Sequence, residues 1–326
     1  MAASGEGRGQ PAHEFEALAR LALHAYDLDV ARVSLVTCDW NCTFRVDSTD
    51  GQAYAARVYL PTRRTDEEIR AELAWLESLA ETSGIHVPRP LRSRRGSLFV
   101  DAEEGAIPRS RRVAVFTWLP GELLGDDPDP PAVAAFGEGI ARLHEQARSF
   151  GSVQGLRVWD SPFPHGDGSL FDERNEDVVP HPDRVVFERA VNVSRDVIEH
   201  LRATGEPPRI VHADLHQDNV LVDGRDVWFL DFDDCMLAWP VQDLGVTMWE
   251  VGEDEVTWPY RDTLRAGYER IAPWPERRPG QIDAFAANRG LVKVGDVVRE
   301  RAERGDAEVL MSVRRHAKAV KWFLER

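Results

Sequence analysis

The sequence predicts an α+β protein in which a small, β-rich first part precedes a larger, mainly helical one. Three observations carry this reading. Short segments rich in β-branched and aromatic residues cluster in residues 1–118. Longer stretches with apolar residues at helical spacing dominate residues 119–326. Between the two, Pro120-Gly121 interrupts both patterns and marks the junction.

Taken in order, residues 13–26 read as a short helix. Strands follow at 32–36, 43–47 and 53–59, with Asp50-Gly51 as a hairpin turn between the last two. Residues 66–80 place Ile69, Leu73, Leu76 and Ala80 on one helical face, and Gly84, Pro88 and Pro90 stop that helix. Strands at 97–101 and 113–118 complete the first part. In the second, residues 131–146 carry Val133, Phe136, Ile140 and Leu143 on one stripe. Residues 149–182 are rich in Gly, Pro, Asp and His without periodicity, and read as a long insertion over a substrate site. A helix at 184–203 and a strand at 209–212 follow. Further helices are expected at 241–250, 259–271, 281–302 and 306–324.

The chain has 326 residues, of which 43% are hydrophobic, enough for a sizeable core and too many for a disordered chain. No apolar run reaches the length of a membrane span, and residues 1–11 lack the apolar stretch of a signal peptide. A cytoplasmic protein is the expectation, with no membrane partner. The formal charge of −16 argues against nucleic acid, whose phosphates demand Lys and Arg. It fits a cationic substrate and simple solubility equally well. Three cysteines make no disulfide framework, so Cys38, Cys42 and Cys235 are expected as reduced thiols. Cys38 and Cys42 read as small residues near a strand turn rather than metal ligands, since no second Cys or His pair accompanies them.

Two short stretches carry the chemistry. His212-Ala213-Asp214-Leu215-His216-Gln217-Asp218-Asn219 has the form H-x-D-x-x-x-x-N, and Asp231-Phe232-Asp233-Asp234 follows the apolar run Val227-Trp228-Phe229-Leu230. An amide and a carboxylate on adjacent strand ends can hold a Mg²⁺, and a carboxylate a few residues before them can orient and accept a proton from an attacking hydroxyl. That is what phosphoryl transfer requires. Either stretch alone is a weak signal; the two in this order, separated by a short hairpin, are a strong one.

With these motifs the chain resembles the aminoglycoside phosphotransferase-like superfamily, which shares the bilobal fold of protein kinases. The resemblance runs from about residue 30 to the last helices. The Asp-Phe-Asp-Asp form is similar to the branch containing type II homoserine kinases and bacterial stress-response kinases. It implies a bilobal protein-kinase-like fold, with a nucleotide in the cleft between a β-rich N-lobe (1–118) and an α-helical C-lobe (119–326).

Carried over residue by residue, the resemblance makes Asp214 the catalytic base and Asn219 and Asp231 the Mg²⁺ ligands. His212 and His216 brace the loop, His216 near the second motif, and Asp243 supports it from behind. The phosphate-gripping lysine of protein kinases cannot exist here, because no lysine precedes Lys293; Arg57 takes its place. Glu72 is its expected partner, with Glu68, one turn earlier, as the competing assignment. In the loop Thr37-Cys38-Asp39-Trp40-Asn41-Cys42, which lacks the glycines of protein kinases, Asn41 and Thr43 are candidate phosphate contacts, and Phe44 a candidate cover for the base. The Thr117 carbonyl and the Leu119 amide would meet the purine edge, which suits ATP and GTP alike. Of Asp233 and Asp234, one is expected at a second metal or the acceptor and the other as a turn cap.

Two departures from the family form H-G-D-x-H-P-x-N are Ala213 for glycine and Gln217 for proline. Both touch loop geometry and leave the ligand chemistry intact.

The expected reaction is Mg²⁺-dependent transfer of a nucleotide γ-phosphoryl group to a hydroxyl of a small molecule, an antibiotic or a metabolite alcohol. A Ser/Thr protein kinase of the stress-response type and a silent nucleotide-binding module are the alternatives. The segment from Asp231 to Asp243 is too short for a regulated peptide platform, which weighs against the first. For the acceptor, the candidates are Trp159, His165, Asp167 and Asp172 in the insertion, with Asp234, Trp249, Glu250, Glu253, Asp254, Glu255 and Trp258 beyond it; acidic and aromatic groups suit a cationic or sugar-bearing molecule, and read equally well as a solvated acidic helix end with core tryptophans. Oligomeric state is not legible.

Overall fold

A computed structural model of the chain describes residues 12–38, 40–60, 64–103, 110–125, 127–151, 154–164, 166, 168–250 and 260–326. The expected sites at His165, Asp167, Glu253, Asp254, Glu255 and Trp258 lie outside the described residues, as does the side chain of Glu250. The chain divides into two compact units, residues 1–120 and 121–326.

The first unit is built on a five-stranded antiparallel sheet. Its strands are β1 (Val30–Cys38), β2 (Asn41–Ser48), β3 (Ala53–Tyr59), β4 (Val100–Ala102) and β5 (Arg111–Thr117), in the order β1-β2-β3-β5-β4. Strict alternation sorts the two faces. Cys42, Phe44 and Val46 of β2, Ala56 and Val58 of β3 and Val113 and Val115 of β5 share one core with α1 (Ala12–Leu23), which contributes Phe15, Leu18, Ala19, Ala22 and Leu23. Thr43 and Arg57, partners in the β2–β3 register, point to the other face. The Asp50-Gly51 turn forms as expected, with Gly51 at φ 86°.

The helix α2 (Asp66–Ala80) starts at a capping box. The Thr65 hydroxyl accepts from the Glu68 amide at 3.2 Å and the Glu68 carboxylate accepts from the Thr65 amide at 2.8 Å. Two turns of apolar residues, Ile69, Leu73, Leu76 and Leu79, then bury one side.

The second unit opens with β6 (Glu122–Leu123) and α3 (Pro130–Phe150), capped by Asp129. It continues through α4 (His181–Ala203), β7 (Arg209–Val211), β8 (Val220–Asp223), β9 (Asp226–Phe229), β10 (Met236–Ala238), α5 (Pro240–Glu250) and α6 (Arg261–Tyr268). It ends with α7 (Gln281–Arg299), α8 (Arg301–Arg304) and α9 (Asp306–Leu324). The single helix expected over 281–302 is thus two, separated at Glu300. β8 and β9 form a hairpin with β6 on its edge, and β7 pairs with β10. α3 and α6 cross at backbone contact: a Cβ on Gly137 would lie 2.1 Å from the Leu264 carbonyl oxygen, so only glycine fits there. Among the described residues, no helix is long and apolar enough to cross a membrane.

The insertion differs from the expected loose segment. Trp159 is 2% exposed and packs edge-on to Phe285 of α7. Its amide donates to Leu237 at 2.8 Å, and its carbonyl accepts from Gln242 at 3.0 Å. Two 3-10 turns at Ser169–Phe171 and Glu173–Asn175 and an Arg301–Asp177 ion pair tie down the rest. Trp159 is a core residue and not a surface aromatic for an acceptor. The same holds for Trp249, 1% exposed and stacked on His316, so the core reading of these tryptophans stands. Asp172 pairs with Arg174 at 2.7 Å.

The cysteines also differ. The β1–β2 register sets Cys38 opposite Cys42, and the two are joined as a disulfide; Cys235 is a buried thiol outside any disulfide. Sequence spacing did not reveal this, because pairing across a hairpin depends on its register.

Candidate active site

The loop that carries the first motif connects β7 to β8 and hangs from one carboxylate. Asp243, in the first turn of α5 and 1% exposed, accepts the Ala213 amide on Oδ1 at 2.8 Å and the His212 amide on Oδ2 at 3.2 Å. His144 of α3 contacts the same Oδ2 through Nε2 at 3.1 Å, and its Nδ1 lies 3.0 Å from the Tyr268 hydroxyl. Burial pushes the Tyr268 hydroxyl well above its ordinary range and keeps it protonated. The Asp243 carboxylate accepts from His144 Nε2–H, and the Tyr268 hydroxyl and His144 Nδ1 hydrogen-bond each other. Neither His144 nor Tyr268 was visible as a site residue in the sequence; their pairing depends on the α3–α6 crossing.

His212 is wholly buried. Its Nε2–H donates to the Leu230 carbonyl at 2.7 Å, its Nδ1 accepts from the Asp214 amide at 3.3 Å, and its ring lies against Phe232. Desolvation lowers its pKa and holds it neutral, so it acts as a strut between the loop and the end of β9. Ala213, at φ 67°, occupies the left-handed region that the glycine of the family form would enter freely. Leu215 is gripped from α5, where the Thr247 hydroxyl donates to its carbonyl at 2.7 Å.

This frame presents Asp214. Its Oδ2 accepts from Asn219 Nδ2 at 3.1 Å, and its own carbonyl accepts from the same nitrogen at 2.9 Å. His216 Nε2 stands 3.4 Å from Oδ2. His216 was expected near the second motif; these contacts place it on the first. Asp214 Oδ1 is held by the guanidinium of Arg289, from the middle of α7. Burial raises the Asp214 pKa, but Arg289, His216 and Lys293 more than offset it and hold the carboxyl well below its usual range. Sequence reasoning missed Arg289. The available signal was an arginine inside the otherwise apolar run of α7, since a buried arginine needs a carboxylate partner.

The fixed orientation of Asn219 Nδ2 toward Asp214 leaves Oδ1 as the atom able to ligate a cation. The Leu230 amide donates to the Asn219 carbonyl at 2.9 Å, which sets Asp231 beside Asn219 across the β8–β9 hairpin. Asp231 takes φ 56°, a conformation that aspartate tolerates better than most residues. Two hard oxygen donors suit Mg²⁺, which takes one or two protein ligands and completes its shell with phosphates and water. No cluster of three or more His, Cys, Asp or Glu side chains able to hold a metal alone occurs among the described residues. Asp233 and Asp234 lie in the 3-10 turn Phe232–Asp234, both partly exposed.

In the first unit, Arg57 Nη1 lies 3.1 Å from Glu72 Oε1, and the Tyr59 hydroxyl is 3.4 Å from both Glu72 oxygens. Glu72 is wholly buried, and Arg64 approaches its Oε2 at 3.6 Å. The choice between Glu72 and Glu68 is resolved by the capping box, which occupies Glu68. β3 is the central strand, so Arg57 is not an edge residue.

Phe44 corrects an expectation: it is 0% exposed in the core beneath α1, on the face opposite Arg57, and cannot cover a base. Asn41 accepts the Leu60 amide on Oδ1 at 3.3 Å. Thr117 pairs with Tyr54 at the end of β5, and Leu119, two residues on, is 8% exposed.

A carboxylate presented by a buried frame, beside an amide and a second carboxylate on a hairpin, is the arrangement of the phosphotransferases with a protein-kinase-like fold. The chain belongs to the phosphotransferase enzyme family: the family model matches residues 39–279. Among curated proteins it is 27% identical to an amicoumacin kinase of Bacillus subtilis strain 168 over 207 residues, 62% of this chain and 58% of that one. It is 28% identical to a homoserine kinase of Methylobacillus flagellatus over 183 residues, 55% of this chain and 50% of that one. The chain thus spans about half the length of the curated relatives it matches. A solved amicoumacin kinase in complex with AMP-PNP, Ca²⁺ and Ami shares the fold, with a TM-score of 0.75 at 18% identity, covering 99% of this chain and 96% of that one.

Proposed function

We propose that the chain is an O-phosphotransferase that moves the γ-phosphoryl group of a nucleoside triphosphate to a hydroxyl of a small molecule. The observation that carries this reading is the Asp214–Asn219 pair on a loop that Asp243 anchors through the His212 and Ala213 amides, with Asp231 beside Asn219 across the hairpin. Relatives named as kinases of amicoumacin and homoserine support a small-molecule acceptor.

In this reading Asp214 accepts a hydrogen bond from the acceptor hydroxyl, orients it in line with the γ-phosphorus and takes its proton as the new P–O bond forms. Such a base contributes about 10²- to 10⁴-fold in rate. Asn219 and Asp231 would hold Mg²⁺, which, when bound, spreads the charge on the β- and γ-phosphates. Arg57, oriented by Glu72, grips the α- and β-phosphates. Transfer is direct, without a phosphoenzyme. The protein-kinase alternative is disfavoured because β10 and α5 follow Asp231 at once, leaving no segment for a peptide platform.

The test is Mg²⁺-dependent consumption of ATP and of GTP by wild type and Asp214→Asn, across amino alcohols, hydroxy amino acids, aminoglycosides and a generic protein substrate. A small hydroxyl compound that stimulates consumption in wild type, with loss of at least 10²-fold in the variant, supports the reading. Stimulation by protein alone, or turnover unchanged in Asp214→Asn, overturns it.

A further inference from the structure

The end of β1 is held from one side. β1 is an edge strand, and an irregularity between Leu35 and Thr37 interrupts its ladder to β2. Beyond it the register pairs are Thr37–Thr43 and Cys38–Cys42. Leu35, Val36 and Thr37 are exposed. The covalent link between Cys38 and Cys42 therefore pins an end of the sheet that little apolar packing secures.

Cys42 stands where that link can be felt. Its neighbours on β2, Asn41 and Thr43, lie opposite Tyr59 and Arg57 of β3. The Arg57 guanidinium and the Tyr59 hydroxyl both reach the buried Glu72 carboxylate. Asn41 Oδ1 also accepts the Leu60 amide at 3.3 Å, which ties the hairpin to the end of β3. Cys42 itself points to the other face, into the core it shares with Phe44, Val58 and α1. One bond thus joins the loose edge of the sheet to the strand beside the Arg57–Glu72 pair.

The two sulfurs are unequal. Cys42 is 0% exposed, whereas Cys38 is half-buried, with Thr37 before it and Trp40 two residues after it exposed. An incoming thiolate can reach Cys38 and not Cys42. Its attack on Cys38 Sγ makes a mixed disulfide and breaks the Cys38–Cys42 bond, and the departing Cys42 sulfur takes up a proton. The second thiol of the same dithiol then attacks the reductant's sulfur in the mixed disulfide, which forms the reductant's own disulfide and releases Cys38 as a thiol. Two electrons and two protons pass from the dithiol to the protein. The reverse sequence, with a disulfide as oxidant, restores the bond.

We propose that the Cys38–Cys42 pair is a thiol–disulfide exchange site whose co-reactant is a dithiol or its disulfide, and that its state sets how tightly the first unit holds a nucleoside triphosphate. The effect on affinity rests on the proposed role of Arg57 at the phosphates. With the bond formed, the hairpin beside Arg57 is ordered before the nucleotide arrives, and less freedom is lost on binding. With the bond open, the end of β1 frays back to the irregularity, Asn41 and Thr43 lose that support, and affinity falls.

The full chain is prepared oxidised, and reduced with dithiothreitol. MgATP and MgGTP are titrated by calorimetry into each form, and into Cys38→Ser under both conditions. Cys38→Ser removes the accessible sulfur and leaves the buried one in the core. Oxidised wild type is expected to bind its better nucleotide about tenfold more tightly than reduced wild type, which corresponds to ordering the backbone of about one residue. Cys38→Ser should match reduced wild type in both conditions. Equal affinities of the two wild-type forms, or tighter binding by the reduced one, overturn the switch and leave the function standing. A redox response that persists in Cys38→Ser overturns it too, since another thiol would carry it. No binding in any form removes the function and the switch together.

Brief alkylation with iodoacetamide, mapped by mass, reads the exchange site without nucleotide. Reduced protein is expected to label at Cys38 before Cys42, and oxidised protein at neither. The opposite order, or equal labelling of Cys38 in both forms, overturns the assignment.

Discussion

Asp243 Oδ1 accepts the amide of Ala213 at 2.8 Å, from a helix that begins more than twenty residues after the loop it holds. Through this bond the position of the Asp214 carboxylate, the proposed base, is set by a residue distant in sequence. Asp243→Ala leaves two backbone amides and His144 without their acceptor, each worth about 1–3 kcal/mol when buried. The expected outcome is a loss of about 3 kcal/mol or more in urea unfolding, with kcat falling in whatever protein remains folded. A stable variant with wild-type kcat would show that the loop holds itself.

Ala213 sits at φ 67°, where an L-residue with a Cβ pays about 1–2 kcal/mol. Glycine removes that cost but adds about 0.5–1 kcal/mol of freedom to the unfolded chain. Ala213→Gly should therefore gain up to about 1 kcal/mol and raise the melting midpoint by a few degrees. A drop in the midpoint would mean that the alanine methyl packs more favourably than its backbone is strained.

Arg57 and Glu72 form their ion pair at the back of the first unit's sheet, while Glu68 caps α2. The two glutamates should separate cleanly by mutation. Glu72→Gln is expected to weaken nucleotide binding about tenfold, read by fluorescence titration, because Arg57 loses the charge that orients it. Thr65→Ala should cost about 1 kcal/mol of stability through the lost cap and leave nucleotide affinity within about twofold.

Cys38 and Cys42 close a loop of a few residues, which stabilises by about 2 kcal/mol through restriction of the unfolded chain. Unfolded without reductant, the protein should titrate one thiol, that of Cys235, and three after reduction. Three thiols before reduction would refute the pairing.

The site was legible in the sequence wherever function is local. H-x-D-x-x-x-x-N and the Asp231 run place a carboxylate, an amide and a second carboxylate by spacing along the chain, and a hairpin of a few residues is enough to join them. Arg57 was legible by the absence of earlier lysines. Phe44 was misread because alternation tells which residues share a face and not which face meets α1. Whether Trp159 and Trp249 serve an acceptor or the core stayed open, because an aromatic in a Gly/Pro-rich segment or at a helix end carries no mark of its burial; the structure places both in the core. The Arg289–Asp214 pair was illegible because it joins residues 75 apart in the chain.

The sequence by itself determined the order of elements, the phosphotransferase motifs and the chemistry they can carry, since each depends on residue type and short spacing. Only the tertiary structure decided which glutamate pairs with Arg57, what suspends the loop that carries Asp214, and that Arg289 of α7 pairs with Asp214. Those are contacts between distant segments, and they exist because helices whose apolar faces must be buried carry their few polar side chains inward to meet each other.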